Sequence, residues 1–144
     1  MSNNILAISD PESFSNIDRI MQAACDVAFQ YAHHREAFGK QIGFPDDSRE
    51  KMADMYTTLN ACKAYLYTVA KAADNGHLPN KDCTGIILYL AEKCTQVCLD
   101  AIQVLGENDC INDYPTRRLL RDSKLYEIGS RLVIGRALSK KYIH

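Results

Sequence analysis

Apolar residues recur mostly at intervals of three, four and seven positions through three long stretches of this chain, and this spacing constrains the fold more than any other feature. It places the apolar side chains on one stripe of an α-helix, which must be buried against other protein. The three stripes are Ile17, Ile20, Met21, Ala24, Val27, Ala28, Tyr31 and Phe38; Met52, Met55, Tyr56, Leu59, Cys62, Leu66, Val69, Ala70 and Ala73; and Ile87, Leu90, Ala91, Cys94, Val97, Cys98, Ala101 and Leu105. No alternating strand pattern of useful length competes with them, so the sequence predicts an all-α fold.

Capping signals set the ends of the first two predicted helices. Asp10-Pro11-Glu12 is typical of a helix start, and Gly39 can take the left-handed conformation that ends a helix. Asp47 with Glu50 three positions later resembles a capping box and starts the second helix. Asn75-Gly76 supplies its stop.

The second half of the chain predicts three further helices. Apolar residues outside the third stripe, such as Ile86 and Tyr89, lead us to expect protein almost completely around that helix. Pro115 opens a fourth helix through Leu125, and a separate last helix holds the apolar residues from Leu132 to Leu138. The connections are short, which favours antiparallel neighbours and therefore an up-and-down helical bundle.

Length and charge exclude several kinds of protein. The 144 residues suit one domain, and a net charge of −1 gives no broad cationic field, so we expect neither a nucleic-acid nor a membrane partner. Met1 to Ile8 shows no targeting pattern. Six scattered cysteines favour a reducing compartment, and Cys94 with Cys98 lacks a second pair at metal-ligand spacing, so no metal site is predicted.

Several strings in this outline resemble motifs of the acyl-CoA dehydrogenase family, and of its isovaleryl-CoA dehydrogenase branch in particular. They follow one another in the family's order and at nearly its spacing, over roughly Ile17 to His144. The strings are His34-Arg35-Glu36-Ala37-Phe38-Gly39-Lys40-Gln41-Ile42-Gly43, Lys51-Met52-Ala53-Asp54-Met55-Tyr56, Ile111-Asn112-Asp113-Tyr114-Pro115, Leu120-Arg121-Asp122-Ser123-Lys124-Leu125-Tyr126-Glu127-Ile128-Gly129 and Arg131-Leu132-Val133-Ile134-Gly135-Arg136.

The resemblance implies that residues 17–144 form the family's C-terminal helical bundle, with residues 1–16 as an unmatched segment. It implies an enzyme that oxidises acyl-CoA thioesters with FAD, with an N-terminal helical domain and a middle β-domain preceding the bundle. It further implies a homotetramer in which each bundle touches a neighbour's FAD. Electron transfer flavoprotein as oxidant, the mitochondrial matrix and leucine breakdown follow from the same resemblance.

The resemblance also assigns cofactor-binding residues. Arg35 matches an arginine that reaches the FAD pyrophosphate, and a guanidinium suits that task because it binds phosphate oxygens bidentately. The alternative is an ion pair between Arg35 and Glu36. Gln103 and Gly106 match a segment that supports the dinucleotide, although Glu107 and Asp109 stand where the family has glycines. The alternative for Gln103 is a solvated side chain at a helix end.

No catalytic residue is predicted. The isovaleryl-type base position falls at Ser9, which cannot abstract a proton, and a shifted register to Glu12 is the other alternative. Asp46 stands where the family has a flavin-side glutamine, or else only begins a helix. The flavin-contacting loop that follows Gly129 in the family is deleted, and Glu127 is expected to be a helix-surface carboxylate rather than a base.

Three functions therefore remain open on the sequence alone. The chain is a part of an acyl-CoA dehydrogenase that is inactive by itself, or a non-catalytic helical oligomerisation module derived from that family. A generic bundle unrelated to flavin is disfavoured by the matched strings.

Overall fold

A computed structural model describes residues 11–34, 36–37, 40–41, 46–77, 80–106 and 114–142. Four long helices account for nearly all of them: α1 (Pro11–His34), α2 (Asp46–Asp74), α3 (Asn80–Leu105) and α4 (Thr116–Tyr142). Between α1 and α2, a two-residue strand β1 (Glu36–Ala37) pairs antiparallel with β2 (Lys40–Gln41). The all-α prediction is confirmed, and none of the described helices has both the length and the apolar character needed to cross a bilayer.

Contacts between neighbouring helices show that the chain runs up and down. Lys63 of α2 donates a hydrogen bond to Gln22 of α1 at 2.6 Å, and the Cys25 thiol of α1 lies 4.0 Å from the carbonyl oxygen of Met55 in α2. Residue numbers rise along α1 while they fall along α2, so the two helices are antiparallel. The predicted up-and-down topology is confirmed for this pair.

The other two antiparallel contacts involve α3. The ring centroids of Tyr65 in α2 and Tyr89 in α3 lie 5.9 Å apart, and Arg131 of α4 pairs with Glu92 of α3 at 2.9 Å. Helix α3 packs on all three other helices, most extensively on α4 and then on α1. It is therefore the helix around which the bundle is arranged.

Small side chains line the contact between α1 and α3. The Cys94 thiol donates to the carbonyl oxygen of Ile17 at 3.8 Å, so the α1 backbone approaches α3 closely. A larger residue would force the helices apart, because native cores have little spare volume. The small buried residues of the two helices are Ala24, Cys25, Ala28, Ala32, Ala91, Cys94, Cys98 and Ala101.

The capping signals correctly predicted the start of α1, at Pro11, and the end of α2, but not the end of α1. Helix α2 ends at Asp74, and Gly76 adopts φ +72° with its N–H donating to the Ala73 carbonyl at 3.0 Å. The prediction of a stop at Asn75-Gly76 is thus confirmed. Helix α1 ends at His34 rather than near Gly39, because the backbone enters the β1–β2 ladder at Glu36.

Two predictions about the second half of the chain are wrong. Helix α4 is a single helix through Gly129 and Gly135, not two helices. A lone glycine costs a helix only about 1 kcal/mol, and the residues on either side of Gly129 are packed on the bundle, because Glu127 and Ser130 are buried and Glu127 accepts a hydrogen bond from Thr95 of α3. Ser130 donates to the Tyr126 carbonyl at 2.7 Å. Helix α3 is not surrounded either, because Tyr89 is 49% exposed on its outer face.

The described cysteines are all free thiols on helices, as the sequence predicted for most of them. Cys25, Cys62, Cys94 and Cys98 are buried, whereas Cys83 near the start of α3 is half-buried. Burial, helped by the nearby Asp26 carboxylate, raises the pKa of Cys25 to about 12. Within the described residues no group of three or more potential ligands could hold a metal ion.

This difference in burial predicts the order in which the described thiols react. Because only a thiolate attacks iodoacetamide, we expect Cys83 to be alkylated first at neutral pH and Cys25, Cys62, Cys94 and Cys98 only after unfolding. Peptide mass spectrometry with and without denaturant measures this. Native-state alkylation of Cys94 at the rate of Cys83 would contradict the packing of α1 on α3.

Candidate functional site

One end of the bundle brings together the residues that the sequence associates with a cofactor. Because the helices alternate in direction, the last turns of α1 and α3 lie at the same end as the first turns of α2 and α4. Gln103 lies on the last turn of α3, Gly106 follows it, and His34 closes α1. Arg35, directly after His34, lies outside the described residues.

Gln103 and Gly106 form an open surface at this end. Gln103 is exposed, and Gly106 is exposed with φ +58°, its N–H donating to the Ile102 carbonyl at 3.0 Å. That is the left-handed conformation with which a glycine ends a helix. A Cβ at Gly106 would meet no other heavy atom of the described residues within 4 Å, so these residues leave room beside the glycine backbone.

A cavity of about 390 Å³ lies at the same end, between the last turns of α1 and Tyr114. The rings of Tyr31 and Tyr114 meet edge to face with centroids 6.1 Å apart. Sequence reasoning missed this cavity because Tyr31 was assigned to a core stripe. Its lining residues are Val27, Gln30, Tyr31, His34 and Tyr114.

Charges of both signs lie at this end, because α2 begins here with Asp46 and Asp47, whereas the start of α4 is basic. Helix α4 begins here with no acidic residue in its first turn, and Arg117 and Arg118 follow Thr116 directly. Helix N-termini carry partial positive charge from unpaired N–H groups. Two histidines, His33 and His34, occupy the last turn of α1. The end therefore combines an open glycine backbone, an exposed amide and several basic side chains, a set that suits phosphate oxygens.

The sequence model of the acyl-CoA dehydrogenase C-terminal domain matches residues 15–130. The chain belongs to the acyl-CoA dehydrogenase family. It is 57% identical over 129 residues to mitochondrial isovaleryl-CoA dehydrogenase of Bos taurus, covering 85% of this chain and 30% of that protein. Its identity to the mitochondrial isovaleryl-CoA dehydrogenase of Oryza sativa subsp. japonica is 51% over 128 residues, which is 85% of this chain and 31% of the relative.

A solved structure of PigA in complex with FAD shares the fold. Its TM-score is 0.66 at 25% identity, covering 83% of this chain and 33% of PigA. The chain spans about 30% of the length of the curated relatives it matches. The match corresponds to the C-terminal helical domain, which confirms the family and domain predicted from the strings.

Glu127 is not on the helix surface, contrary to the expectation. Its side chain is only 8% exposed and faces α3. Thr95 of α3 donates to Glu127 Oε2 at 3.0 Å, and Arg131 one turn further along α4 pairs with Oε1 at 2.9 Å. Sequence reasoning missed this because a charged residue was read as solvated. The available signal was the small polar Ser123 and Ser130 on the same helical face, which leave space for a carboxylate.

The surroundings of Glu127 keep it ionised. Burial opposes the charged form, but the Thr95 hydrogen bond together with Lys124 and Arg131 outweighs it and lowers the pKa of this carboxyl. Thr95, Lys124 and Arg131 thus hold Glu127 as a carboxylate that attaches α4 to α3.

The remaining residues singled out in the sequence are placed as follows. Helix α2 begins at Asp46, as the helix-start alternative for that residue predicted. Ser9 lies outside the described residues. Glu12 falls in the first turn of α1, and its side chain is not described. Helix α4 continues through Gly129 and Ser130 without a loop.

Replacing Glu127 with Gln should make stability less dependent on pH. We expect the variant to be less stable by about 1–3 kcal/mol at pH 7, because it loses charge-assisted hydrogen bonds to Thr95 and Arg131. Since the folded pKa lies below the unfolded value of about 4.3, this contribution is present above that value and disappears as pH falls through the folded pKa.

Urea denaturation at pH 7 and in acid would measure that difference. Asp54→Asn, which changes an exposed carboxylate in the body of α2, is the matched control and should change stability little at either pH. Equal stability of Glu127→Gln and the parent chain at pH 7 would contradict the assigned role.

Proposed function

We propose that this chain acts as the C-terminal helical domain of a flavin-dependent acyl-CoA dehydrogenase of the isovaleryl-CoA type, in leucine breakdown. The identity of 57% over 129 residues to the Bos taurus isovaleryl-CoA dehydrogenase carries the proposal. The exposed donors Gln103 and Gly106 at one end of the bundle support it physically. The activity belongs to an assembled enzyme, of which these 144 residues supply one part.

In that enzyme FAD accepts the hydride removed from the acyl-CoA. Within this chain, Arg35, Gln103 and Gly106 would hold FAD. Arg35 offers a bidentate donor to phosphate, Gln103 an exposed amide, and Gly106 an accessible backbone with room for a close approach. These donors suit a pyrophosphate and nothing within the described residues fills the space beside Gly106, whereas Asp46 and Asp47 at the start of α2 and Glu107 and Asp109 in the sequence after Gly106 oppose its charge.

The same chain lacks the proton-abstracting part of the reaction. Ser9 has no carboxylate at the proposed base position, and Glu127 is bound to Thr95 and Arg131 with a lowered pKa. The role of this chain is thus to position the cofactor from the side. Two or three contacts cannot offset the entropy of ordering a large dinucleotide, so we expect the chain alone to retain no FAD.

The proposed setting follows from the relatives. Their names place them in mitochondria, so we propose the mitochondrial matrix, with electron transfer flavoprotein as oxidant. A homo-oligomer is also proposed. A groove of about 360 Å³ between α2 and α3 exposes Tyr65 and Tyr89, and aromatic side chains of this kind are enriched at subunit interfaces.

The second candidate is a non-catalytic oligomerisation module with the family's fold. The tyrosine groove favours it, because that surface is formed by α2 and α3 at a distance from the cofactor end. The two functions differ in whether the cofactor end binds FAD once the remaining domains are supplied.

Co-purification with a Bos taurus isovaleryl-CoA dehydrogenase truncated before its matching segment tests the proposal. We expect the chain alone to be colourless and to reduce dye with isovaleryl-CoA and FAD no faster than a no-protein control. The mixture should retain FAD, and Gln103→Ala should weaken retention about tenfold.

Gln96→Ala is the matched control, an exposed glutamine of the same helix away from the cofactor end, and should leave FAD retention unchanged. Equal loss in both variants, or a complex that assembles and holds no FAD, would favour the oligomerisation module. If the purified chain alone were yellow, it would retain FAD, and its contacts with the cofactor would be stronger than proposed.

A further inference from the structure

We draw no further inference here: the strongest candidate, the outer face of α4 on which Leu125, Ile128 and Leu132 are exposed, belongs to a chain that spans about 30% of the length of its curated relatives, and nothing in the structure shows what covers that face.

Discussion

The close packing of α1 on α3 is the contact on which the rest of the bundle depends. Alanines and cysteines at the interface bring the two backbones near enough for the Cys94 thiol to reach the Ile17 carbonyl. The other faces of helix α3 pack against α2 and α4. The ends of all four helices are placed by this arrangement, including the end that carries Gln103 and Gly106.

Helix α4 is attached to α3 partly through a buried charged side chain rather than through small apolar residues alone. It includes a buried carboxylate, Glu127, that interacts with Thr95 and Arg131 rather than with solvent. A charge removed from water remains only where hydrogen bonds and an opposite charge compensate for it. Here both are supplied, and α4 continues through the point at which the family resemblance implies a flavin-contacting loop.

The sequence predicted the helices well and their ends less well. Periodic apolar residues identified α1, α2 and α3 because a helix must bury one face, and Gly76 was placed correctly because its left-handed backbone needs glycine. The break near Gly129 was wrong, since glycine alone does not end a helix whose neighbouring residues are packed on the bundle. The burial of Glu127 depends on Thr95, which is 32 residues away, so local patterns did not reveal it. The assignments of Arg35, Gln103 and Gly106 came from resemblance and stay predictions, because a cofactor site shared with other domains is incomplete in one chain.

The central claim is that this chain is a family bundle in which α4 runs unbroken past Gly129, fastened to α3 by Glu127. Amide hydrogen exchange followed by NMR tests it most directly, because helical N–H groups exchange slowly and loop N–H groups exchange quickly. We expect slow exchange and helical chemical shifts for the amides from Glu127 to Leu132, comparable to those of Leu119 to Ser123. Fast exchange and non-helical shifts from Gly129 to Leu132, beside a protected first half of α4, would contradict it.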